Sequence, residues 1–286
     1  MKILFNKISF YAMRSIKNKK IKNFFINKKV KAIGNKSVFN GVGKSIEIKK
    51  DELSLSGCTN LGLFLSTEEV DLIIEKTKDF KCYDPFRKDL GFFKAEMIPN
   101  KVHVANYQRK DLVSIKEILD IANNSDILKY VQEFLGATPT ISNINMWWSI
   151  SGKEKAEQAQ MFHRDVDDFK FCKLFIYLTN VELENGPHVY VEGSSISNKL
   201  LKIRRYQDEE VISAFGENKI KFFTGKKGST FLADTFGFHK GLLPQKGKRL
   251  LLQVQYSLNP IGIEKYEPIS ISNNPYDSYV NRLILQ

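Results

Sequence analysis

The sequence predicts an α+β domain in which helices come first and a sandwich or closed barrel of short strands follows. Apolar residues recur at i, i+3 and i+4 in residues 67–80, 111–122 and 126–135, as they do in amphipathic helices. Later segments are rich in β-branched and aromatic residues, are separated by Gly, Asn and Pro turn signals, and indicate strands. These are residues 140–150, 171–181, 188–193, 220–225, 229–234 and 249–258. Helices followed by many short strands favour a β part that is closed on itself.

The predicted helices carry signals at their ends. Ser66 or Thr67 is expected to cap the first helix, whose first turn is acidic. Ser125 is expected to cap the third helix, and Gly136 is expected to end it.

Length and cysteine usage favour an ordinary globular protein. The chain has 286 residues, 42% of them hydrophobic, enough for one large domain or at most two small ones. Its three cysteines form no CxxC motif, so we expect buried, unreactive thiols in a reducing compartment; they are Cys58, Cys82 and Cys172. No apolar run is long enough to span a membrane, and Asn6 and Lys7 interrupt the apolar start. We therefore expect a cytoplasmic protein, at most peripheral to a membrane.

The positive charge is concentrated at the start of the chain. The net charge is +12, but residues 1–50 hold 14 Lys and Arg against one acid, so residues 51–286 are nearly neutral. A nucleic-acid partner is therefore not expected. Apolar residues recur among these lysines at near-helical spacing, as in an interfacial helix; they are Leu4, Ile8, Tyr11, Ile21, Phe24 and Phe25. The segment 1–30 either docks loosely on an anionic membrane surface or packs on the domain as a lysine-rich lead-in.

A histidine and an aspartate stand two residues apart in FHRDVDDF, residues 162–169, a segment that reads as strand. In a strand His163 and Asp165 would project to one face, while Arg164 would point away. An imidazole and a carboxylate on one side form two-thirds of the facial triad that holds non-haem Fe(II). His239, at the edge of another predicted strand, is the candidate third ligand.

Arg249 lies ten residues after His239, at the start of RLLLQVQYSL. That spacing fits one turn and an antiparallel strand that returns beside the strand of His239. A guanidinium is the preferred partner of a planar carboxylate. Three protein ligands leave three coordination positions, two for an α-keto acid and one for dioxygen, as a 2-oxoglutarate-dependent oxygenase requires.

Four separated blocks resemble the phytanoyl-CoA dioxygenase family of Fe(II)- and 2-oxoglutarate-dependent oxygenases, over roughly residues 140–258. The blocks are FHRD (162–165), LFIYLTNVELENGPHVYVEGS (174–194), GSTFLADTFGFHKG (228–241) and KRLLLQVQY (248–256). The resemblance implies a double-stranded β-helix, that is a jelly-roll, cupin-like barrel core with flanking N-terminal helices. It also implies iron on His163, Asp165 and His239, and 2-oxoglutarate on Arg249. Lys173 and Asn145 occupy positions where the family often has a polar side chain that reaches the cosubstrate, although each fits an ordinary polar residue of the barrel equally well.

Some residues depart from that family's pattern. Where the family usually reads PGSH, this chain has Glu192-Gly193-Ser194-Ser195. His188 is the rival of His239 as third ligand, but it stands where the family has an apolar residue, so we interpret it as structural or as a lining residue. His103 matches nothing in the motif and is interpreted as structural, or as part of the substrate pocket.

The resulting prediction is a basic segment, 1–50, followed by one oxygenase domain, 51–286. The domain divides into helical support (51–139), barrel core (140–258) and C-terminal tail (259–286). The expected reaction uses Fe(II), 2-oxoglutarate and O2 to hydroxylate a C–H bond of a small organic molecule of lipid, acyl, amino-acid or natural-product type, releasing succinate and CO2. The sequence specifies neither the substrate nor the oligomeric state.

Three other functions are less well supported by the residues. A halogenase needs a vacant ligand position, and Asp165 fills it. A nucleic-acid demethylase disagrees with the near-neutral catalytic region. A non-oxidative cupin-like metal-binding protein or isomerase would have no use for Arg249.

Overall fold

The computed structural model describes residues 10–16, 18–37, 39, 44–47, 49 and 51–286, and combines helices with antiparallel sheets, as predicted. Its helices are α1 (Lys19–Ile33), α2 (Glu52–Ser56), α3 (Thr67–Thr77), α4 (Arg109–Val113), α5 (Lys116–Ala122), α6 (Ser125–Leu135), α7 (Asp208–Phe215) and α8 (Ser278–Asn281). Its strands are β1 (Cys58–Leu63), β2 (Cys82–Tyr83), β3 (Phe92–Phe93), β4 (Val104–Tyr107), β5 (Thr140–Ile150), β6 (Phe171–Tyr177), β7 (His188–Val191), β8 (Ile220–Phe223), β9 (Ser229–Ala233), β10 (His239–Gly241) and β11 (Lys248–Ser257).

The strands form two antiparallel sheets. The large sheet has the order β1-β9-β6-β11-β5-β4-β2-β3, and the small sheet has the order β10-β7-β8. A single bridge between His163 and His239 extends the small sheet by one segment. Within the described residues neither sheet closes on itself, and the two sheets share a buried layer, as in the sandwich alternative of the prediction.

Side chains of the central strands alternate between the two faces of the large sheet, as the two-residue period of a strand requires. On β11, Leu250, Leu252 and Val254 join the main apolar core, which also contains side chains of α4, α5 and α6. On the opposite face, Arg249 and Gln253 line a cavity. Burial of each large aliphatic side chain stabilises the folded state by about 1.5–3 kcal/mol. The face packed against the helices therefore supplies most of the stability of the sheet, and the opposite face can carry polar groups.

The ends of the helices show which local signals were read correctly. Ser66 caps α3 in a reciprocal capping box with Glu69, and Gly136 ends α6 in the left-handed conformation, both as predicted. The prediction for Ser125 was wrong: the side chain of Asn124 caps α6 by accepting from the backbone N–H groups of residues 126 and 127. Both residue types are good caps, and the helix begins one residue earlier than expected.

Several predicted elements differ from the observed ones. The single helix expected at 111–122 is divided into α4 and α5, which are joined at residues 114–115. The segment 162–169 is not a strand: only Phe162 and His163 form isolated bridges, and the chain then turns. The short strands β1 to β4 were not predicted, because two to six residues give too little periodicity.

The basic N-terminal segment packs on the domain where it is described. Arg14 Nη1 donates to the carbonyl of Val166 at 3.1 Å, and Phe25 stacks on Phe169 with ring centroids 5.5 Å apart. Leu4 and Ile8 lie outside the described residues. Phe24 remains 63% exposed. In the described ranges no helix has the length and apolarity needed to cross a membrane, and membrane contact stays a prediction.

The cysteines match the expectation of buried thiols. All three are free and buried. Burial is the main cause that raises the pKa of Cys58 and of Cys82 to about 12, so neither is ionised near neutral pH.

Candidate metal centre

His163 and His239 are cross-strand partners. The backbone N–H of His163 donates to the carbonyl of His239 at 3.0 Å, and the reverse hydrogen bond measures 3.1 Å. Side chains of directly opposed residues stand on the same side of an antiparallel pair, and here the two imidazole centroids are 4.2 Å apart. The backbone pairing therefore fixes the separation of the two rings.

Asp165 completes a compact group. Its backbone N–H donates to the carbonyl of Thr235 at 2.8 Å, which holds the residue after the bridge has ended. Its Oδ1 lies 3.6 Å from Nε2 of His163, and its Oδ2 lies 3.3 Å from Nε2 of His239. One potential ligand atom of each of the three residues lies within 4.8 Å of the others.

Both imidazoles present Nε2 toward the carboxylate. Nδ1 of His163 contacts the carbonyl of Met161 at 2.9 Å, and Nδ1 of His239 contacts the carbonyl of Gly237 at 3.0 Å. Because a carbonyl only accepts, each Nδ1 carries a proton, and Nε2 is the ring nitrogen that each histidine offers to the carboxylate. Burial, with a smaller contribution from His239, lowers the pKa of His163 to about 3, so this ring is neutral. Two imidazoles that each turn Nε2 toward one carboxylate are a suitable donor set for a divalent transition metal.

Lys173, on β6, contacts the carboxylate of this group. Its Nζ lies 2.7 Å from Oδ2 of Asp165 and 3.3 Å from Oδ2 of Asp167. Burial acts to raise the pKa of Asp165, but Lys173 and His239 outweigh it and the pKa is lowered. The ammonium therefore keeps the carboxylate ionised.

Arg249 is buried beside the small sheet and has no acidic partner among the described residues. Nη1 donates to the carbonyl of Gly186, Nη2 donates to Oγ of Ser149 at 3.0 Å, and Nε has no partner in the described part of the chain. The expected pairing of its strand with that of His239 was wrong, because β10 pairs with β7 and β11 pairs with β5 and β6. Arg249 instead faces β10 across the gap between the sheets, where a Cβ on Gly241 would lie 3.1 Å from Nη2.

A cavity of about 230 Å³ connects these groups. The three residues of the candidate metal centre, Lys173, Arg249 and Asn145 all line it. Asn145 stands opposite Gln253 on neighbouring strands, and both contribute to the wall. All six site residues predicted from the sequence therefore meet at one cavity.

No protein-family model matches the chain, and no curated protein matches its sequence. Solved structures do match. HygX from Streptomyces hygroscopicus, with nickel and 2-oxoglutarate bound, gives a TM-score of 0.54 at 14% identity, covering 78% of this chain and 91% of HygX. The non-haem α-ketoglutarate-dependent carbocyclase SnoK from nogalamycin biosynthesis gives 0.51 at 13% identity, covering 75% and 86%. The epimerase SnoN, in complex with Fe3+, α-ketoglutarate and nogalamycin RO, gives 0.50 at 14% identity, covering 72% and 80%.

What these proteins share with the chain is the fold. At such low identity the likeness extends to the arrangement of strands and not to a particular family, so the resemblance to the phytanoyl-CoA dioxygenases is not confirmed.

His188 lies next to the centre and outside the group of three. Its ring stacks on His239 with centroids 5.4 Å apart and contacts the ring of Phe175 in a tilted arrangement, with centroids 4.7 Å apart. It lines the cavity, and its Nε2 is buried without a partner among the described residues. Burial, then the charge on His239, lowers its pKa well below the usual value. His188 is thus a neutral, aromatic part of the wall.

Gln160 lines the cavity but belongs to no motif that could have predicted it. Its Oε1 accepts from the backbone N–H of Glu157 at 3.0 Å and contacts Nδ1 of His103 at 2.9 Å. That contact defines the orientation of the amide, and Nε2 is left buried without an acceptor in the described part of the chain. His103 does not belong to the cavity lining and acts on it through Gln160.

Proposed function

We propose that this chain is an Fe(II)- and 2-oxoglutarate-dependent oxygenase that hydroxylates a C–H bond of a small organic molecule. The observation that carries the proposal is the juxtaposition, at one cavity, of a two-histidine, one-carboxylate group and a buried arginine without an acidic partner among the described residues. A metal alone would explain the first feature, and only an anionic cosubstrate explains both.

The donor set fits the metal. His163, Asp165 and His239 would hold Fe(II) through Nε2, a carboxylate oxygen and Nε2, which leaves one side of the ion open to the cavity. The neutral imidazole of His163 need not lose a proton to bind, so the metal would not compete with protonation of this ring near neutral pH.

The cavity fits the cosubstrate. Arg249 would bind the distal carboxylate of 2-oxoglutarate, and Ser149 holds the guanidinium in place. An unpaired buried guanidinium is costly, so an anionic ligand would relieve that cost on binding. Asn145 would contribute an amide to the same wall. When bound, Fe(II) and 2-oxoglutarate supply the oxidation, in which O2 is consumed and succinate and CO2 are released.

The chain's own residues would orient the reactants and exclude water. The paired strands keep the two imidazoles in register, and Lys173 keeps Asp165 ionised. His188, Phe175 and Leu251 give the cavity an apolar side that limits solvent near the metal.

The finer fold assignment, a double-stranded β-helix, belongs to this proposal. It is supported by the way the chain alternates between the two sheets. β5 is in the large sheet, His163 bridges to the small sheet, and β6 is again in the large sheet. β9, β10 and β11 repeat the order large, small, large. The structural neighbours support this class of chemistry, because SnoK is an α-ketoglutarate-dependent carbocyclase and SnoN was solved in complex with α-ketoglutarate. They include an epimerase and a carbocyclase, so hydroxylation is the part of the proposal that product analysis must test.

Succinate release is the direct test. Protein loaded anaerobically with Fe(II) and then given 2-oxoglutarate and O2 should form succinate, slowly alone and faster with a substrate drawn from a small-molecule panel, whose product should gain 16 mass units of oxygen. The variant Arg249→Ala should form little succinate. The variant Lys246→Ala, at an exposed residue nearby in sequence, should form succinate at the wild-type rate. Stoichiometric metal without any succinate would favour the non-oxidative cupin-like alternative.

A further inference from the structure

A second cleft, of about 270 Å³, borders the metal centre. It shares His163 and Asp165 with the cavity of Arg249. Its other walls include Arg14, from the basic N-terminal segment, and Ile203, Arg204 and Arg205, from the loop before α7. The cleft thus places guanidinium groups beside the residues proposed to hold the metal.

The arginines of this cleft differ in what they already bind. Arg204 is paired with Glu210 and stacks on Tyr206. Arg164 also borders the cleft, but its guanidinium points away and donates to backbone carbonyls, including that of Ser194 at 2.9 Å. The guanidinium groups of Arg204 and Arg164 are therefore already occupied by contacts within the protein.

Arg205 and Arg14 are the cations with spare donors. The guanidinium of Arg205 makes no ion pair or hydrogen bond in the described part of the chain. It lies close enough to the centre that Asp165 acts on its pKa, which burial lowers and Asp165 raises. Arg14 uses Nη1 on the carbonyl of Val166. The acids nearby are engaged, because Asp165 belongs to the metal group and Asp167 is 3.3 Å from Lys173.

We propose that this cleft binds an oxyanion group of the substrate, a carboxylate or a phosphate, with Arg205 and Arg14 as its ligands. Guanidinium forks match the geometry of planar carboxylates and of phosphates. The inference rests on the proposed function, since the metal marks the reacting end, and it narrows the substrate to small anionic molecules. It also assigns a role at the site to Arg14, a residue of the basic N-terminal segment.

Inorganic phosphate is a suitable probe. The protein is loaded with Mn(II), a paramagnetic ion that accepts the same ligand types, and saturated with 2-oxoglutarate so that the Arg249 side is occupied. Phosphate bound in the cleft lies close to the ion, so its 31P relaxation rate should increase and saturate with protein concentration. Propionate as competitor distinguishes the two sources of the anion: displacement at equal concentration indicates a carboxylate site, and persistence of the effect indicates a phosphate site.

Charge-neutralising variants locate the probe. Arg205→Gln and Arg14→Gln should each weaken phosphate by roughly tenfold or more, the usual loss for a charge-assisted hydrogen bond. Arg205→Lys should retain part of the affinity, and Lys202→Gln, on the same loop but outside the cleft lining, should retain all of it.

Three results would overturn the inference: no saturable relaxation effect in the wild type, an effect unchanged in Arg205→Gln, or an effect that is seen only when 2-oxoglutarate is left out. The second would mean that phosphate binds the ion directly, and the third that it occupies the cosubstrate side. Mn(II) stoichiometry and 2-oxoglutarate affinity are measured separately in each variant. Failure of either in the wild type would count against the proposed function itself.

Discussion

Lys173 Nζ donates to Oδ2 of Asp165 over 2.7 Å. The same ammonium lies 3.3 Å from Oδ2 of Asp167, so one buried cation forms ion pairs with two carboxylates. Burial acts to lower the pKa of Lys173, but the two acids outweigh it and raise the pKa, which keeps the ammonium charged. Lys173 therefore acts directly on a proposed metal ligand, in addition to lining the cavity that Arg249 also lines.

Replacing Lys173 should tighten metal binding. In Lys173→Met the cation that repels a divalent ion is removed while both carboxylates remain, so we expect Mn(II) affinity to rise by about tenfold, as Coulomb repulsion at this distance allows after screening. Titration of the apo protein with Mn(II) measures it, with Lys129→Met as the control at an exposed pair. Weaker binding would mean that Lys173 matters more for orienting Asp165 than for its charge.

Removal of either imidazole should abolish tight metal binding. His163→Ala and His239→Ala each leave two ligands, too few to retain a labile divalent ion, so stoichiometry at micromolar metal should fall close to zero. His188→Phe is the matched control because it keeps an aromatic ring beside His239 without a ligand nitrogen. Equal metal loss in the His188 variant would make that residue a ligand and reopen the assignment of His239.

Arg249→Ala should separate the cosubstrate from the metal. The metal should stay, while 2-oxoglutarate binding should weaken by roughly 2–4 kcal/mol because a buried carboxylate loses its charged partner. Ser149→Ala removes only one hydrogen bond to the guanidinium and should cost about 1 kcal/mol. Calorimetry on the Mn(II)-loaded proteins gives both values, and an unchanged affinity in Arg249→Ala would place the carboxylate elsewhere.

The sequence predicted the polar face of the central strands better than their surroundings. Arg249 could be placed because it begins a long apolar segment that reads as strand, and Lys173 because the resemblance to the phytanoyl-CoA dioxygenases implies a polar residue at its position in a strand. The bridge between His163 and His239 could not be placed, because the two residues are 76 positions apart in sequence and the first lies in a segment that is not a regular strand.

Roles that depend on individual tertiary contacts also could not be predicted from the sequence. Gln160 carries no motif, and its role follows only from the hydrogen bonds that fix its amide. Arg14 and Arg205 stand far apart in the chain, in segments whose composition gives no hint that they border one cleft.

Arg87 follows two cavity-lining residues, Pro85 and Phe86, and its ion pairs hold this loop in position. Its guanidinium binds Glu157 through two hydrogen bonds of 2.8 and 2.9 Å and the buried Asp84 at 3.0 Å, and the neighbouring Pro85, Phe86 and Gln160 line the cavity. Arg87 is the main cause that lowers the pKa of Glu157, with burial opposing it.

Arg87→Ala should lower the free energy of unfolding by about 1–3 kcal/mol at neutral pH, because it removes the partner of two half-buried or buried acids. A carboxyl group with a lowered pKa stabilises the folded state above its ordinary pKa of 4.5, and that contribution is lost as pH falls through the lower folded value. The difference between wild type and variant should therefore shrink below about pH 4.5. Urea unfolding across pH measures it, with Lys101→Ala at an exposed ion pair as control, and a pH-independent difference would contradict the assignment to charge.

Two adjacent phenylalanines of α1 separate the two interpretations of the basic segment. Phe25 stacks on Phe169, four residues after Asp165, whereas Phe24 is 63% exposed. Packing on the domain requires the first ring, and docking on a membrane would use the second, together with the exposed Ile21.

We expect the two alanine variants to have different effects. Phe25→Ala should lower the free energy of unfolding by about 1 kcal/mol, the scale of an aromatic pair that is only partly buried, and Phe24→Ala should change it by less than about 0.5 kcal/mol. If the segment also docks on anionic vesicles, Phe24→Ala should weaken that binding more than Phe25→Ala does, because an exposed ring is the one free to enter the interface. Urea unfolding and vesicle sedimentation measure the two effects on the same samples. Equal stability of both variants would mean that the stacking on Phe169 does not anchor α1, and vesicle binding that neither substitution changes would leave lysine charge, rather than an apolar face, as the cause of any attraction.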